Sequence, residues 1–276
     1  MKRNPRPLLA ALLLIFLVLI LVSGWKILSI LSGYREAAQR YDGLANSVVV
    51  SSAPVVTAPT PSQSTSPDAA AVSVEEETPP EESAPTEYSP VTVDFDELLR
   101  LCGDVIGWIC LPDTVINYPV VQGRDNAYYL ERFLDGSTAA GGTLFADFVC
   151  PSDFSGQNTI IYGHNMRNGS MFALVDDYAD QSFYEEHPVM YLNTPSQNYR
   201  IDFFSGFTAD PESFVYATAF SSDEEYSAFL RRLIASSEIS CPVGVGTDDR
   251  IVTLSTCTYS GEDLRFVLCG KLTEIG

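Results

Sequence analysis

Hydrophobic and polar positions divide this chain into three parts. Residues 8–25 are uncharged and almost wholly apolar. As a helix they would be about 27 Å long, close to the ~30 Å hydrocarbon core of a bilayer. Residues 46–91 are rich in Ser, Thr, Ala, Pro and Glu, whereas residues 92–276 alternate short apolar runs with polar turns. The pattern therefore predicts a membrane anchor, a tether and one globular domain.

Basic residues stand close before the predicted anchor. Lys2, Arg3 and Arg6 favour an N-terminus inside the cell. A cleaved signal peptide is the alternative, but the apolar run is long for one and no A-x-A-like cleavage site follows it. We therefore predict a single-pass type II membrane protein, with residues 1–7 in the cytoplasm, residues 8–25 in the membrane and the rest outside the cell.

The segment that follows, residues 26–91, is predicted to lack a packed core. A short juxtamembrane helix is expected over residues 27–41. From residue 46 the composition is acidic and rich in proline, so too little apolar surface is available to offset the entropy cost of ordering. We interpret this part as a disordered tether that holds the domain off the membrane; an unconstrained spacer is the alternative.

Short β-like runs dominate the globular part, residues 92–276, and clusters of Gly, Pro, Asn and Asp separate them. Helices are predicted from Asp94, over 170–186 and over 222–236, the last with Ser222 as its N-cap. About eight strands with few helices indicate a mainly β domain, either a barrel or a sandwich. The predicted strands are 105–111, 115–121, 142–148, 158–162, 189–192, 199–207, 251–257 and 264–272.

The charge and the metal-binding residue types argue against two classes of function. The formal net charge of −20 makes nucleic acid an unsuitable partner, because phosphate binding needs a basic surface. Six cysteines without a C-x-x-C pair and only two histidines match no zinc site. We therefore expect neither a metal nor another cofactor.

A cysteine and an arginine flank a polar turn near the C-terminus. Cys257 ends one predicted strand and Arg265 begins the next, with residues 260–263 between them. A hairpin of this size returns both residues to the same end of the sheet, where a thiolate could act beside a fixed positive donor. The alternative for Arg265 is an ordinary surface ion pair with Glu262 or Asp263.

The other cysteines have a simpler interpretation, because a free cysteine is commonly a small apolar core residue. Cys269, inside the last predicted strand, is expected to be one. Cys257 differs in having the hydroxyl-bearing residues Ser255, Thr256 and Thr258 around it. The remaining four cysteines stay open between core thiols and disulfide partners of an exported protein: Cys102, Cys110, Cys150 and Cys241.

The two histidines differ in their surroundings. His164 follows an apolar run and Gly163, which places it at the end of a predicted strand. Cys257 is also at the end of a predicted strand. His187 stands between a predicted helix and Pro188, a position typical of a structural turn. His164 is therefore the candidate base, although residue chemistry alone leaves a catalytic Cys–His–Arg site and a non-catalytic arrangement equally open.

The residues around these positions carry a family resemblance. T-L-S-T-C ends at Cys257, an arginine follows in the next strand, and Y-G-H-N-M surrounds His164 upstream. This combination resembles the sortases, and most of all their class B. The resemblance covers roughly residues 95–272 and implies a sortase-like eight-stranded β-barrel with an N-terminal helix and peripheral helices. Three further stretches agree with class B: D-V-I-G-W-I-C-L-P-D-T-V-I-N-Y-P-V-V-Q-G, D-N-A-Y-Y-L and G-H-N-M-R-N-G-S-M-F.

The resemblance also implies a reaction, that of a membrane-anchored cysteine transpeptidase. Cys257 would attack the carbonyl of a Thr in a C-terminal sorting motif, commonly N-P-x-T-x in class B, and form a thioester. His164 would protonate the leaving amine, and Arg265 would stabilise the oxyanion or hold the substrate backbone. An amine on a cell-wall precursor or a pilin would then accept the surface protein. The candidate substrate-binding residues are Ser255, Thr256, Asn165 and Thr258.

One position differs from the class B pattern, and other classes of protein are alternatives to a sortase. Tyr259 occupies the position where some accounts of class B enzymes place an acidic residue, so an Asp-assisted triad is not expected there. An L,D-transpeptidase would show an S-H-G-C-like block, and a papain-like peptidase would place its cysteine before its histidine. The alternatives are another exported Cys–His peptidase, or a non-enzymatic surface domain in which Cys257 is buried and inert.

Overall fold

The structure, a computed structural model, describes residues 6–52, 88–257 and 263–276. The side chains of residues 6–13, 27, 30, 31, 34, 50–52 and 257 lie outside the described part. In chain order the elements are α1 (Arg6–Val48), β1 (Val49–Ser52), β2 (Val91–Val93), α2 (Phe95–Leu101), β3 (Val105–Cys110), β4 (Asn117–Val121), a 3₁₀ turn (Tyr128–Glu131), β5 (Leu144–Ala146), β6 (Asn158–Tyr162), α3 (Ala173–Asp177), α4 (Gln181–Glu186), β7 (Val189–Asn193), β8 (Asn198–Ala209), a second 3₁₀ turn (Phe214–Tyr216), α5 (Asp223–Ser236), β9 (Ile251–Cys257) and β10 (Arg265–Ile275).

Eight strands close into a barrel in the order β10-β8-β7-β3-β4-β5-β6-β9. Neighbouring strands are antiparallel except for two parallel pairs, β4 with β5 and β6 with β9. Each strand of the barrel corresponds to one predicted from the sequence, and the structure confirms the mainly β barrel with peripheral helices. Because β6 and β9 run parallel, their carboxyl ends lie at the same end of the barrel.

Alternate residues of β9 face two separate apolar clusters. Val252 and Leu254 belong to the larger cluster, whereas Ile251 belongs to a smaller one that includes the buried side of α5. Side chains alternate along a strand, so the α5 side also carries Ser255. The face of β9 that carries Ser255 is therefore separate from the face that packs in the larger cluster.

The first helix continues past the predicted juxtamembrane segment and packs on the barrel. Tyr41, Leu44 and Val48 are buried in the larger apolar cluster. The Tyr41 hydroxyl donates to the Gly142 carbonyl and lies 3.0 Å from Thr143 Oγ1. The last turns of α1 are thus part of the globular unit, which begins earlier in the chain than the predicted residue 92.

Both ends of the predicted tether take part in a small sheet. β1 pairs antiparallel with β2, and Asp94 N donates to Val48 O at 2.7 Å. Strand pairing therefore holds both ends of the segment predicted as a tether over residues 46–91 on the folded unit, so the segment does not separate the anchor from the domain as expected. Residues 53–87 lie outside the described residues. Within the part of the chain that the structure describes, no helix is long and apolar enough to cross a membrane.

Two helix caps follow the prediction, and one predicted helix is divided. Asp94 and Ser222 accept hydrogen bonds at the N-termini of α2 and α5. The single helix predicted over residues 170–186 is instead the pair α3 and α4. Asp180 separates them, because its backbone is extended and its carboxylate caps α4 by accepting from Ser182 N. The N-cap at Asp180 thus starts a second helix in the middle of the segment that was predicted to be one helix.

Replacing Tyr41 with Phe should lower the free energy of unfolding by about 1–3 kcal/mol, because the buried Gly142 carbonyl loses a donor while the ring packing remains. Urea denaturation of the purified chain, followed by tryptophan fluorescence, measures the change. Tyr88→Phe is the control, since Tyr88 is 63% exposed and the midpoint should not move. A Tyr41→Phe variant as stable as the wild type would show that docking of α1 does not depend on this contact.

Candidate active site

A glycine fixes the backbone just before His164. Gly163 N donates to Ser255 O at 3.1 Å and so extends the parallel pairing of β6 with β9. A Cβ at position 163 would lie 2.5 Å from Leu144 Cδ2 and 2.6 Å from the Phe172 ring, so the close approach requires glycine. His164 O accepts from Phe172 N at 2.9 Å. These contacts hold His164 beside the end of β9.

The imidazole of His164 is oriented by a backbone carbonyl. His164 Nε2 lies 2.7 Å from Leu130 O. A carbonyl oxygen can only accept a hydrogen bond, so Nε2 carries a hydrogen and donates it. In the neutral ring the basic nitrogen is then Nδ1. Leu130 belongs to the 3₁₀ turn Tyr128–Glu131, and this turn therefore determines which ring nitrogen carries the hydrogen in the neutral imidazole.

The strand register brings the cysteine and the arginine opposite each other. Arg265 of β10 is the direct partner of Cys257 of β9, and opposed residues of antiparallel strands share a face with Cβ atoms about 5 Å apart. In the parallel pair, Tyr162 is the partner of Ser255, so His164 and Cys257 each lie two residues beyond that pair. The three predicted catalytic positions therefore meet at one end of the barrel.

A cavity of about 360 Å³ lies where these strand ends meet. His164, Ser255 and Arg265 line it. The sequence reasoning missed seven further lining residues, of which the first four lie in stretches that carry the family resemblance, so a signal for those four was present. Those seven are Asn126, Leu130, Tyr162, Gly163, Phe145, Pro211 and Tyr216. The last two come from the connection after β8, which long-range packing places over the cavity.

Two stacked tyrosines form one wall of the cavity. The rings of Tyr162 and Tyr216 stack with centroids 6.2 Å apart, and the Tyr216 hydroxyl lies 3.0 Å from Ser255 Oγ. Burial raises the pKa of Tyr162, and the nearby Asp147 carboxylate raises it further. The Tyr162 phenol therefore stays neutral in the physiological range. This wall presents aromatic faces whose positions are fixed by hydroxyl contacts.

The predicted substrate-binding residues have different places in the structure. Ser255 lines the cavity. Thr256 does not line it: its side chain is fully buried and faces the opposite side of β9, because neighbouring residues of a strand alternate. Asn165 does not line it either, and its amide donates to Asp176 Oδ2 at 3.3 Å. Thr258 lies outside the described residues.

His187 occupies a structural turn, as predicted. It ends α4, its ring centroid is 4.7 Å from that of Phe183, and its carbonyl accepts from the Tyr178 hydroxyl at 2.7 Å. It is not among the residues that line the cavity. Its contacts are those of local packing, which leaves His164 as the histidine beside the strand ends.

The five cysteines whose side chains the structure describes are free thiols, so the disulfide alternative is wrong for them. Burial raises the pKa of Cys269, a core residue as predicted, to about 12 and that of Cys110 to about 11. Burial also raises the pKa values of Cys150 and Cys241. Such thiols stay protonated near neutral pH and are poor nucleophiles.

Among the described residues, no group of three His, Cys, Asp or Glu could hold a metal ion.

Comparison with known proteins identifies the family. The chain is 35% identical over 178 residues to sortase B of Listeria monocytogenes, covering 64% of this chain and 72% of the relative. It is 34% identical over 187 residues to sortase B of Staphylococcus aureus, covering 67% of this chain and 77% of the relative. The chain belongs to the sortase B family. No protein-family model matches it.

Solved sortase B structures share the fold. The Staphylococcus aureus sortase B–substrate complex matches with a TM-score of 0.63 at 34% identity, over 66% of this chain and 85% of that one. A sortase B complexed with triglycine matches with a TM-score of 0.63 at 34% identity, over 66% and 86%. As a sortase B, the chain is a cysteine transpeptidase, and the alternative of a non-enzymatic surface domain is wrong.

A small methanethiosulfonate reagent should modify Cys257 faster than any other thiol of the folded chain, because burial keeps the thiols of Cys110, Cys150 and Cys269 protonated and shielded. Peptide mass spectrometry after brief exposure at neutral pH measures the site of labelling. Cys257→Ala is the control and should lose the fast label. Fast labelling that persists in that variant would mean that another cysteine is the reactive thiol.

Proposed function

We propose that this chain is a membrane-anchored extracellular sortase that cleaves a C-terminal sorting motif after Thr and transfers the protein to an amine. One observation supports the proposal most: the register opposes Cys257 to Arg265, while the pairing of β6 with β9 sets His164 beside them. A thiol, a base and a fixed cation at one cavity are the groups that acyl transfer through a thioester needs.

Acylation begins with the Cys257 thiolate. Its sulfur attacks the carbonyl carbon of the Thr, and the carbonyl π electrons move to oxygen as an oxyanion. The C–N bond to the next residue then breaks, the imidazolium of His164 gives its Nδ1 proton to the leaving amine, and a thioester remains on Cys257. The Leu130 carbonyl supports the choice of Nδ1, because it holds the hydrogen of Nε2.

Arg265 is the group that stabilises the oxyanion. It begins β10 directly opposite Cys257 and its partly buried side chain lines the cavity. A guanidinium presents several N–H donors in one plane and stays charged at all physiological pH values. Its hydrogen bonds strengthen as negative charge develops on the Thr carbonyl, so they stabilise the transition state more than the bound substrate.

Deacylation requires an amine. Its nitrogen attacks the thioester carbonyl, His164 Nδ1 takes the amine proton, and the C–S bond breaks to release the Cys257 thiolate. Similarity to a sortase B complexed with triglycine supports a glycine-like amine as acceptor, carried by a cell-wall precursor or a pilin. Similarity to a sortase B–substrate complex supports surface proteins with a sorting motif as donors. Water is the competing acceptor and would give hydrolysis.

The orientation of the chain in the membrane determines where this reaction takes place. Lys2, Arg3 and Arg6 before the apolar run of residues 8–25 support a single-pass type II anchor with residues 1–7 in the cytoplasm. The end of α1, which follows the predicted anchor and packs on the barrel, then holds the catalytic barrel outside the cell and close to the membrane. An enzyme in that position meets exported proteins and amine acceptors on the same side of the membrane.

Cys257→Ala and His164→Ala should each lower the rate of sorting-peptide cleavage by a factor of about 10³ or more, because the nucleophile or the proton donor is lost. His187→Ala is the matched control at the other histidine and should keep most activity, since that ring packs on Phe183. Cleavage of a fluorogenic peptide measures all three. Equal losses from the two histidine variants would contradict the distinction made between them.

Arg265→Lys should lower kcat/KM by a factor of about 10²–10³, because an ammonium group does not reproduce the planar pair of donors at the oxyanion. Arg250→Lys is the control: that arginine is held by Glu274 at 2.7 Å on the surface, and its replacement should not change kcat/KM. Circular dichroism establishes that both variants fold. A wild-type rate in Arg265→Lys would make the arginine merely structural.

A peptide library, cleaved with and without added triglycine, tests the proposed function as a whole. We expect cleavage after Thr and, when triglycine is present, a product extended by three glycines. The same experiment reports the preferred sorting motif. Hydrolysis alone at every triglycine concentration would favour the alternative of a Cys–His peptidase and contradict transfer.

A further inference from the structure

One carboxylate behind the cavity holds two side chains of the cavity wall. Asp147 Oδ2 accepts from the Tyr162 hydroxyl at 2.9 Å and from Asn126 Nδ2 at 2.9 Å. Tyr162 and Asn126 both line the cavity, whereas Asp147 does not. Two residues from distant parts of the sequence therefore depend on a single acidic group that no sequence motif had singled out.

The backbone of Asp147 is held firmly. Its N–H donates to Ile160 O at 2.9 Å, and its carbonyl accepts from Gln122 Nε2 at 2.8 Å. Its Oδ1 accepts from Val149 N at 3.1 Å, which fixes the plane of the carboxylate. Because these contacts tie it to β6 and to the loop after β4, the carboxylate is a stable reference point for the groups that bind it.

The contacts of Asn126 determine how its amide is turned. Nδ2 donates to Asp147, and Oδ1 accepts from Phe148 N at 3.1 Å. A carboxylate only accepts and a backbone N–H only donates, so the amide oxygen and nitrogen are not interchangeable here. An amide nitrogen carries two hydrogens and Asp147 receives one. The second hydrogen is left for the cavity that Asn126 lines.

From this geometry we infer that Asp147 is a positioning residue for substrate binding: it turns Asn126 so that the amide presents an N–H donor to a backbone carbonyl of the sorting peptide. It also anchors Tyr162, whose ring forms the adjacent wall. The inference rests on the proposed function and adds to it the way the cavity recognises an extended peptide. Asp147 acts through Asn126 and does not touch the reacting atoms.

Asp147 and Asn126 should affect KM and not kcat. The N–H of Asn126 would meet the same peptide carbonyl before and during the reaction, so its loss raises KM and leaves kcat nearly unchanged. With Asn at position 147, the charged acceptor is lost and only the Phe148 N–H still orients the Asn126 amide, so the N–H donor is held less firmly. We expect Asp147→Asn to raise KM roughly tenfold, the factor that corresponds to one hydrogen bond, with kcat within about twofold of the wild type.

A double-mutant cycle tests this with the full chain and a fluorogenic peptide that carries the sorting motif selected from the library. Asn126→Ala alone should raise KM by a similar factor, and adding Asp147→Asn to it should raise KM no further, since coupled residues are not additive. The control is Asp153→Asn, at an exposed carboxylate that accepts from Ser155 N in the next loop. It should leave KM and kcat unchanged.

Three results would overturn the inference: a wild-type KM in Asp147→Asn, a wild-type KM in Asn126→Ala, or KM effects that multiply in the double variant. The Asn126→Ala result decides the matter even where Asp147→Asn folds poorly. A wild-type enzyme that cleaves no sorting peptide would instead refute the proposed function. The two failures are therefore distinguishable, because the second is seen before any variant is made.

Discussion

The parallel pairing of β6 with β9 is the constraint on which the site depends. Parallel neighbours end at the same edge, so the residues that follow β6 and those that end β9 meet there. Gly163 extends the pairing by one hydrogen bond to Ser255 and admits no side chain. Antiparallel pairing of β9 with β10 then adds Arg265 opposite Cys257. Three residues that are distant in sequence converge because two strand registers are fixed.

Residues next to this junction orient the side chains that meet there. The Leu130 carbonyl accepts the Nε2 hydrogen of His164 and leaves Nδ1 as the basic nitrogen of the neutral ring. The loop that follows Leu130 also receives α1, since Thr143 N donates to Tyr129 O at 3.0 Å while the Tyr41 hydroxyl lies 3.0 Å from Thr143 Oγ1. The helix that leads from the predicted anchor therefore packs against Thr143, which is hydrogen-bonded to the turn that orients the His164 imidazole. The catalytic unit includes the end of α1.

Short apolar runs, separated by clusters of Gly, Pro, Asn and Asp, were enough to predict each barrel strand. The motifs around Cys257 and His164 were enough to predict that these positions and Arg265 lie at the same end of the barrel. Other features depend on contacts that no local pattern carries. The helix predicted over 170–186 divides because Asp180 caps a new start. Thr256 neighbours Cys257 in sequence, yet its side chain faces the side of β9 opposite to Ser255 and away from the cavity. Pro211 and the other residues of its connection reach the cavity only through the closure of the barrel.

The central claim is that Cys257 carries the substrate as a thioester. Rapid mixing of the enzyme with a sorting peptide, acid quenching and peptide mass spectrometry would test it most directly. We expect the fragment containing Cys257 to gain the mass of the peptide up to and including its Thr, and triglycine added before the quench to remove this mass. Normal turnover with an unmodified Cys257 at all times, or acylation of a different residue, would contradict it.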